Sequence, residues 1–504
     1  MADIGERLAR LSPEERARVL AAARRRAAGD APPTASTKPF VPTIKPRPPD
    51  LPTPLARAQE RLWFLQLMAP ESTAYNTAVG AWLRGTVQVE LLESAFDALL
   101  RRHESLRSVV VGPDDAPNQK ALPEWKVAVP VEQAPADATF GDPADANRLT
   151  ERFVQQSFDL RRDLLIRAKL IRFAPDAHLL VIGVHHLACD GLSIDILYRD
   201  LSALYAERVT GAPADLPPLS FQFGDFAAWE RSAEQHARLA DHDQFWADYL
   251  RGAPPVLPLP VDLPRPKVQT YAGRRIGFDT GGAELAAALR DLCRRERTTP
   301  YLVLLTAFAA TLGRWTGQQD LVLGTPVANR DYPGAEHMVA FFNNTLPVRV
   351  GVPGNPTLRE LLVGVRGSAL RAFEHQQVPF ERVVEVAAPP RSAAYNPLFQ
   401  VNFRVRTQPL AAPNFPGVAA TAVAFEVGFS RFDLALEAHA YAERVGGYVE
   451  YNTALFHEET AVAVAVAFGE TLARMVSEPD TRYLDVQPVQ SAARRTSAIP
   501  RTRR

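Results

Sequence analysis

The chain has 504 residues, and its 57 Lys plus Arg against 57 Asp plus Glu leave no net charge, which removes the simplest sign of a nucleic-acid or anionic-membrane partner. Apolar residues at 46% and charged residues at 23% are ordinary for a globular protein, and the length asks for about two to four structural units rather than one core. Proline is in excess at 43 residues, while two cysteines, Cys189 and Cys293, build neither a disulfide framework nor a cysteine-based zinc site; with no basic-then-apolar leader, the expectation is a cytoplasmic protein.

Ser12-Pro13-Glu14-Glu15 opens the chain with a capping box, predicting a short helix to about Ala28. Nine prolines between Pro32 and Pro54 follow it as an extended linker, so residues 1–49 read as a leader with a docking role open to it. From there a mixed α/β texture predicts a first lobe over 50–250. Leu92, Ala95, Phe96, Leu99 and Leu100 make a helical stripe, and Val109 to Val111 start a strand. Leu164 to Phe173 and Leu179 to Val184 read as neighbouring strands, the second buried on both faces. Ser193 is expected to cap a helix that faces inward through Ile194, Leu197, Leu201 and Leu204. Six prolines between Pro254 and Pro266 mark an inter-lobe segment, 251–270, before a second lobe at 271–490. The Arg-rich stretch 491–504 has no apolar period and reads as disordered. Runs such as Tyr301 to Leu312 and Ala461 to Phe468 are too short to span a bilayer and read as core.

The chemistry concentrates at His185-His186-Leu187-Ala188-Cys189-Asp190-Gly191, between the buried strand and the capped helix. Strand alternation lets only one of the two histidines face a cleft, which disfavours a matched metal clamp, and no metal site is expected. Gly191 suits a tight turn, Asp190 an ion pair, and Cys189 a small buried residue.

HHxxxDG is the core motif of nonribosomal peptide synthetase condensation domains, and it has company. Thr53 to Leu65, with Arg57 as an unexplained addition, resembles the family's opening motif, and Arg102-His103-Glu104-Ser105-Leu106-Arg107 resembles RHExLR. Phe223 to Trp229 is similar to YxDYAxW and Phe341 to Thr345 to FVNT. His375 to Glu381 and Tyr395-Asn396-Pro397-Leu398-Phe399-Gln400 resemble the last two motifs. The resemblance implies an α/β fold of two chloramphenicol-acetyltransferase-like lobes in a V, with the site at their junction. It also implies that no cofactor is held permanently. Phosphopantetheine arms arrive on donor and acceptor carrier proteins, and a monomer without nucleic-acid or membrane partners is expected.

By family position the catalytic set is His185, His186, Asp190 and Gly191. His186 faces the cleft as general base or as a partner that orients the amine, and His185 supports it. Asp190 is expected in an ion pair with Arg330 or Arg107, Arg330 first because it would tie the lobes. Ser193, Asn396 and Trp229 are candidates for the substrate tunnel. The implied reaction transfers an acyl or peptidyl group from the donor thioester to the amine of an acceptor aminoacyl group, in the subtype joining an L-donor to an L-acceptor. An ester-forming variant and a non-catalytic carrier-binding module are the alternatives. The DxxxxD that replaces the histidine motif in heterocyclising relatives does not stand in its place here, and neither the EGHGR-like run of epimerising relatives nor the DFGWG of plant acyltransferases is found in the chain.

Overall fold

The computed structural model describes residues 44–48, 51–426, 428–487 and 489. The expected leader helix, most of the proline-rich linker and the Arg-rich tail lie outside the described residues. The first lobe begins with β1 (Thr53–Pro54), α1 (Arg57–Met68), β2 (Asn76–Arg84) and α2 (Val89–Arg102). It continues through β3 (Ser108–Val111), β4 (Asn118–Ala121), β5 (Val131–Gln133), α3 (Pro143–Val154), β6 (Ile166–Ala174) and β7 (Ala177–His185). Then come α4 (Gly191–Thr210), α5 (Phe223–Glu230) and α6 (Ala233–Tyr249).

β7 is buried along its whole length, and the cause is a helix layer on each side of it. Leu180, Ile182 and Val184 pack with residues of α2 and α4, whereas Leu179 and Val181 share a second cluster with Trp82, Ala146 and Phe153. A strand covered twice needs an unbroken apolar run, and this one has it. α4 turns Ile194, Leu197, Leu201 and Leu204 inward. Its cap, however, is Asp190 and not Ser193: the Asp190 carboxylate accepts the Ser193 N–H, and the helix starts at Gly191. An N-cap carboxylate accepts the free amide three residues downstream, here that of Ser193, so Ser193 falls inside the first turn.

The second lobe contains β8 (Gly273–Gly281), α7 (Ala283–Arg295), α8 (Pro300–Thr316), β9 (Asp320–Val327), β10 (Asn344–Gly351), α9 (Leu358–Glu374) and α10 (Phe380–Ala387). The chain then runs through β11 (Val401–Arg406), β12 (Ala419–Ala424), β13 (Leu434–Ala440), β14 (Val445–Asn452) and α11 (Glu458–Ser477). Six of its strands form one sheet in the order β10-β9-β11-β13-β14-β8. α8, capped by Thr299 with Pro300 at its first position, and α11 pack in the core on one face of that sheet. Among the described residues α11 alone is long and apolar enough to cross a membrane, yet its Val464, Phe468 and Leu472 are fully buried in this core.

The border expected near residue 271 is crossed in both directions. β12 pairs antiparallel with β2, completing a first-lobe sheet of order β12-β2-β7-β6-β5. Residues 338–342 pack into the first-lobe core beside Leu106, Leu197 and Phe223. In return α6, described above with the first lobe, packs through Leu239, Trp246 and Tyr249 in the core of the second, so the cleft between the lobes has walls that the sequence supplies from far apart.

Candidate active site

The end of β7 fixes the two histidines by backbone geometry. His185 is the last strand residue and points inward, 2% exposed. Its Nδ1 accepts the Leu187 N–H at 3.1 Å, which leaves the proton on Nε2, and its ring stands edge-on to Phe158. Burial, helped by Arg431 and Arg167, pushes its pKa down to about 3, so it is a neutral packing residue. His186 turns the other way in a single 3-10 turn, and its backbone N–H donates to the Tyr75 carbonyl at 2.8 Å. Its ring stands edge-on to Tyr75 and Phe341, at 6.4 and 5.8 Å between centroids. Nδ1 of His186 has no hydrogen-bond partner. Burial, then the charge of Arg431, holds its imidazole well below the ordinary histidine range against a smaller pull from the Cys189 backbone. His186 is thus held in its neutral form at neutral pH, with Nδ1 turned into the protein.

Asp190 lies at the centre of a closed knot. Its oxygens accept the Ser193 N–H and hydroxyl at 2.9 and 2.8 Å, and the Phe342 N–H at 3.1 Å. Arg330 Nη2 donates to both oxygens, at 2.8 and 3.0 Å, and to the Ser193 hydroxyl. Nη1 of the same guanidinium holds the carbonyls of Ala335 and Met338. Charge, cap and crossing loop are satisfied together, so Asp190 has no lone pair left for a substrate. Ser193, fully buried in this knot, does not line a tunnel.

The remaining candidates separate. Arg107 does not join the knot: its guanidinium donates to the carbonyls of Leu100 and Leu122 and lies over the Trp125 ring. Trp229 packs in an aromatic group with Phe226 and Tyr332. Asn396 donates through Nδ2 to the Arg431 carbonyl at 2.8 Å, so it positions a loop. Gly191 needs no unusual turn, since it is not among the glycines of positive φ. A side chain there would meet nothing within 4 Å, so the start of α4 is open at this residue. The Cys189 thiol is buried, and burial raises its pKa far above that of a reactive cysteine. Among the described residues no three His, Cys, Asp or Glu side chains are grouped to hold a metal.

Arg431 belongs to the site although no motif in the sequence marks it. Its Nε donates to the Ala74 carbonyl at 2.9 Å, its guanidinium covers the Tyr75 ring, and burial brings its pKa down to about 10. It reaches from the second lobe to the floor of the histidine turn, where its charge opposes protonation of both rings. Gln59, in the sequence no more than one position of the opening motif, holds the Leu187 carbonyl through Nε2 at 2.9 Å, one residue beyond His186.

A family model described as Condensation domain matches residues 52–496. The chain is 39% identical over 462 residues to phosphinothricin tripeptide synthetase PhsC of Streptomyces viridochromogenes, covering 91% of this chain and 42% of that protein. It is 35% identical over 443 residues to malpinin synthetase of Mortierella alpina, covering 88% of this chain and 6% of that one. Among solved structures, the X-domain from teicoplanin biosynthesis is similar with a TM-score of 0.80 and 27% identity over 88% of this chain and all of that one. The first condensation domain of the calcium-dependent antibiotic synthetase has a TM-score of 0.73 at 19% identity, over 88% of this chain and 100% of that chain, a likeness of fold. The chain spans less than half the length of these curated relatives.

Proposed function

Because the chain belongs to the condensation-domain family, we propose that it joins two carrier-bound substrates in nonribosomal peptide assembly. An acyl or peptidyl thioester on a donor carrier's phosphopantetheine is passed to the amine of an aminoacyl group on an acceptor carrier. The amine nitrogen attacks the thioester carbon, the C–N bond forms, and the C–S bond breaks. The amine's proton ends on the departing sulfur. The observation that supports this reading is the His186 ring, half-buried at the end of β7 and held neutral, with the exposed start of α4 following it at Gly191.

A thioester is already activated, so alignment of the two arms can supply roughly 7–11 kcal/mol of the barrier. The lowered basicity of His186 favours a particular role for it. The ring accepts a hydrogen bond from the amine and relays the proton to sulfur, rather than holding it as a stable imidazolium. Arg330 and Asp190 keep the turn in place, and His185 is the packed support behind it. The two cysteines are free, buried thiols, in keeping with a reducing cytoplasm.

Mixing the full chain with loaded donor and acceptor carriers, and weighing the acceptor carrier intact, tests the reading. His186→Ala should fold and lower product formation by about 10²–10⁴-fold, the range of positioned acid–base groups. Unchanged turnover in that variant overturns the assignment. Offering L- and D-donors, and amine or hydroxyl acceptors, decides the L-to-L subtype and amide against ester. One similar structure is a complex of an X-domain with OxyB; a role confined to binding a partner would leave no product in any arm.

A further inference from the structure

The six-stranded sheet carries its apolar core on one face, through Phe403, Leu436 and Val449. On the other face the strand register lines up charge. Arg404 lies beside Glu437 and Arg406 beside His439; Glu437 lies beside Tyr448 and Glu450 beside Arg275. The Tyr448 hydroxyl donates to Glu437 Oε2 at 2.8 Å, while Arg404 and Arg406 stand 3.4 and 3.5 Å from the two Glu437 oxygens. Arg275 reaches Glu450 Oε2 with two nitrogens, at 2.9 and 2.7 Å. With Arg431 at the end of the group, four guanidiniums share two carboxylates.

This charge is sequestered but reachable: the side chains of Arg404 and Arg406 are 27% and 28% exposed. The group borders the histidine turn. Arg431 covers Tyr75, which stands edge-on to His186, and the charge of Arg404 also reaches His186. Across the cleft, Gly191, Leu192 and Asp195 form the exposed side of the first turns of α4, and Arg406 acts on the Asp195 carboxyl. Even with Asp195 counted, positive charge exceeds negative. Partly desolvated guanidiniums without enough counter-charge are costly, and a forked donor is the natural partner of a planar oxyanion.

We propose that this charged floor recognises a negatively charged group, a carboxylate or similar oxyanion, on the side chain of one of the two carrier-bound amino acids. Arg404 and Arg406 are its specificity-determining donors. The inference rests on the condensation reading above.

The test uses the full chain with carriers loaded with Glu, Gln or Ala, first varied on the donor carrier and then on the acceptor carrier. Initial rates are read from intact mass. A preference for Glu over Gln of tenfold or more on one carrier is expected, and that arm identifies which substrate is read. Arg404→Gln and Arg406→Gln should bring Glu and Gln to within about twofold of each other, the readout being the Glu-to-Gln rate ratio of each variant whatever its absolute rate. If Arg404→Gln melts early, Arg406→Gln, held by weaker contacts, carries the comparison. Equal or better use of Gln on both carriers overturns the proposal, as does a parallel loss for Glu and Gln in the variants. No transfer of any amino acid, Ala included, would instead overturn the condensation reading, and the proposal with it.

Discussion

Asp190 shows how far one side chain can be committed by its neighbours. Asp190→Asn keeps an oxygen for the Ser193 amide but leaves the Arg330 guanidinium buried without its counter-charge. Stability should fall by about 3–5 kcal/mol, read as a lower melting temperature together with lost activity; a variant that melts normally but is inactive would give Asp190 a chemical role. Glu230 behaves oppositely. It is buried, and burial raises its pKa to about 7 although it accepts the Arg57 N–H at 2.8 Å. The folded state therefore holds this proton more tightly than the unfolded chain. That contribution is complete below pH 4.5 and lost as pH rises through about 7. Glu230→Gln should leave stability unchanged near pH 4.5 and raise it by up to roughly 3 kcal/mol at pH 8, measured by denaturant titration at both values. His186 adds a kinetic prediction: with its basicity depressed, the rate with saturating loaded carriers should show no histidine inflection near pH 6.5, only one at lower pH. The need of Asp190 for a cation was legible in the sequence, because a carboxylate between a buried strand and a helix start has few alternatives. Arg431 was not legible, because nothing local distinguishes it from a surface arginine.

Elements were legible where one local cause decided them. The uninterrupted apolar run of β7 and the stripe of α4 answer directly to the layers that cover them. β12, Ala-Ala-Thr-Ala-Val-Ala, carries too little apolar surface to announce a strand, and its partner β2 lies more than 300 positions earlier. What admits it is a small residue on the other strand. A methyl group on Gly80 would sit 2.5 Å from the Leu180 carbonyl and 2.6 Å from the Phe425 ring. Gly80→Ala should therefore push β12 and Phe425 outward and cost about 1–3 kcal/mol, as overpacking does. Thermal melting of the full chain checks it, and an unchanged midpoint would mean that β12 is held mainly by its edge hydrogen bonds.

At the scale of the whole molecule, the proline-rich segment 251–270 reads as a domain border, yet the cores on either side are not independent. Tyr332, residues 338–342, Phe415 and Val418 all pack in the first-lobe core. Residues 44–265 expressed alone should be insoluble, whereas co-expression with 266–504 should yield one complex; a soluble, cooperatively melting first fragment would refute this. Such mutual dependence suits a cleft whose residues must stay in register across two lobes. It was hidden from the sequence because only contacts between distant segments create it. The late arrival of β12 also gives the chain a history during synthesis. Roughly 240 residues separate the end of β7 from the end of β12, and at about 5–20 residues per second the ribosome needs roughly ten to fifty seconds to supply them. Throughout that interval β2 presents an open backbone edge flanked by Val79, Ala81 and Leu83, the kind of surface that invites pairing with another nascent chain. Yield in a host should therefore depend on chaperone supply and translation speed more than on the stability of the finished fold.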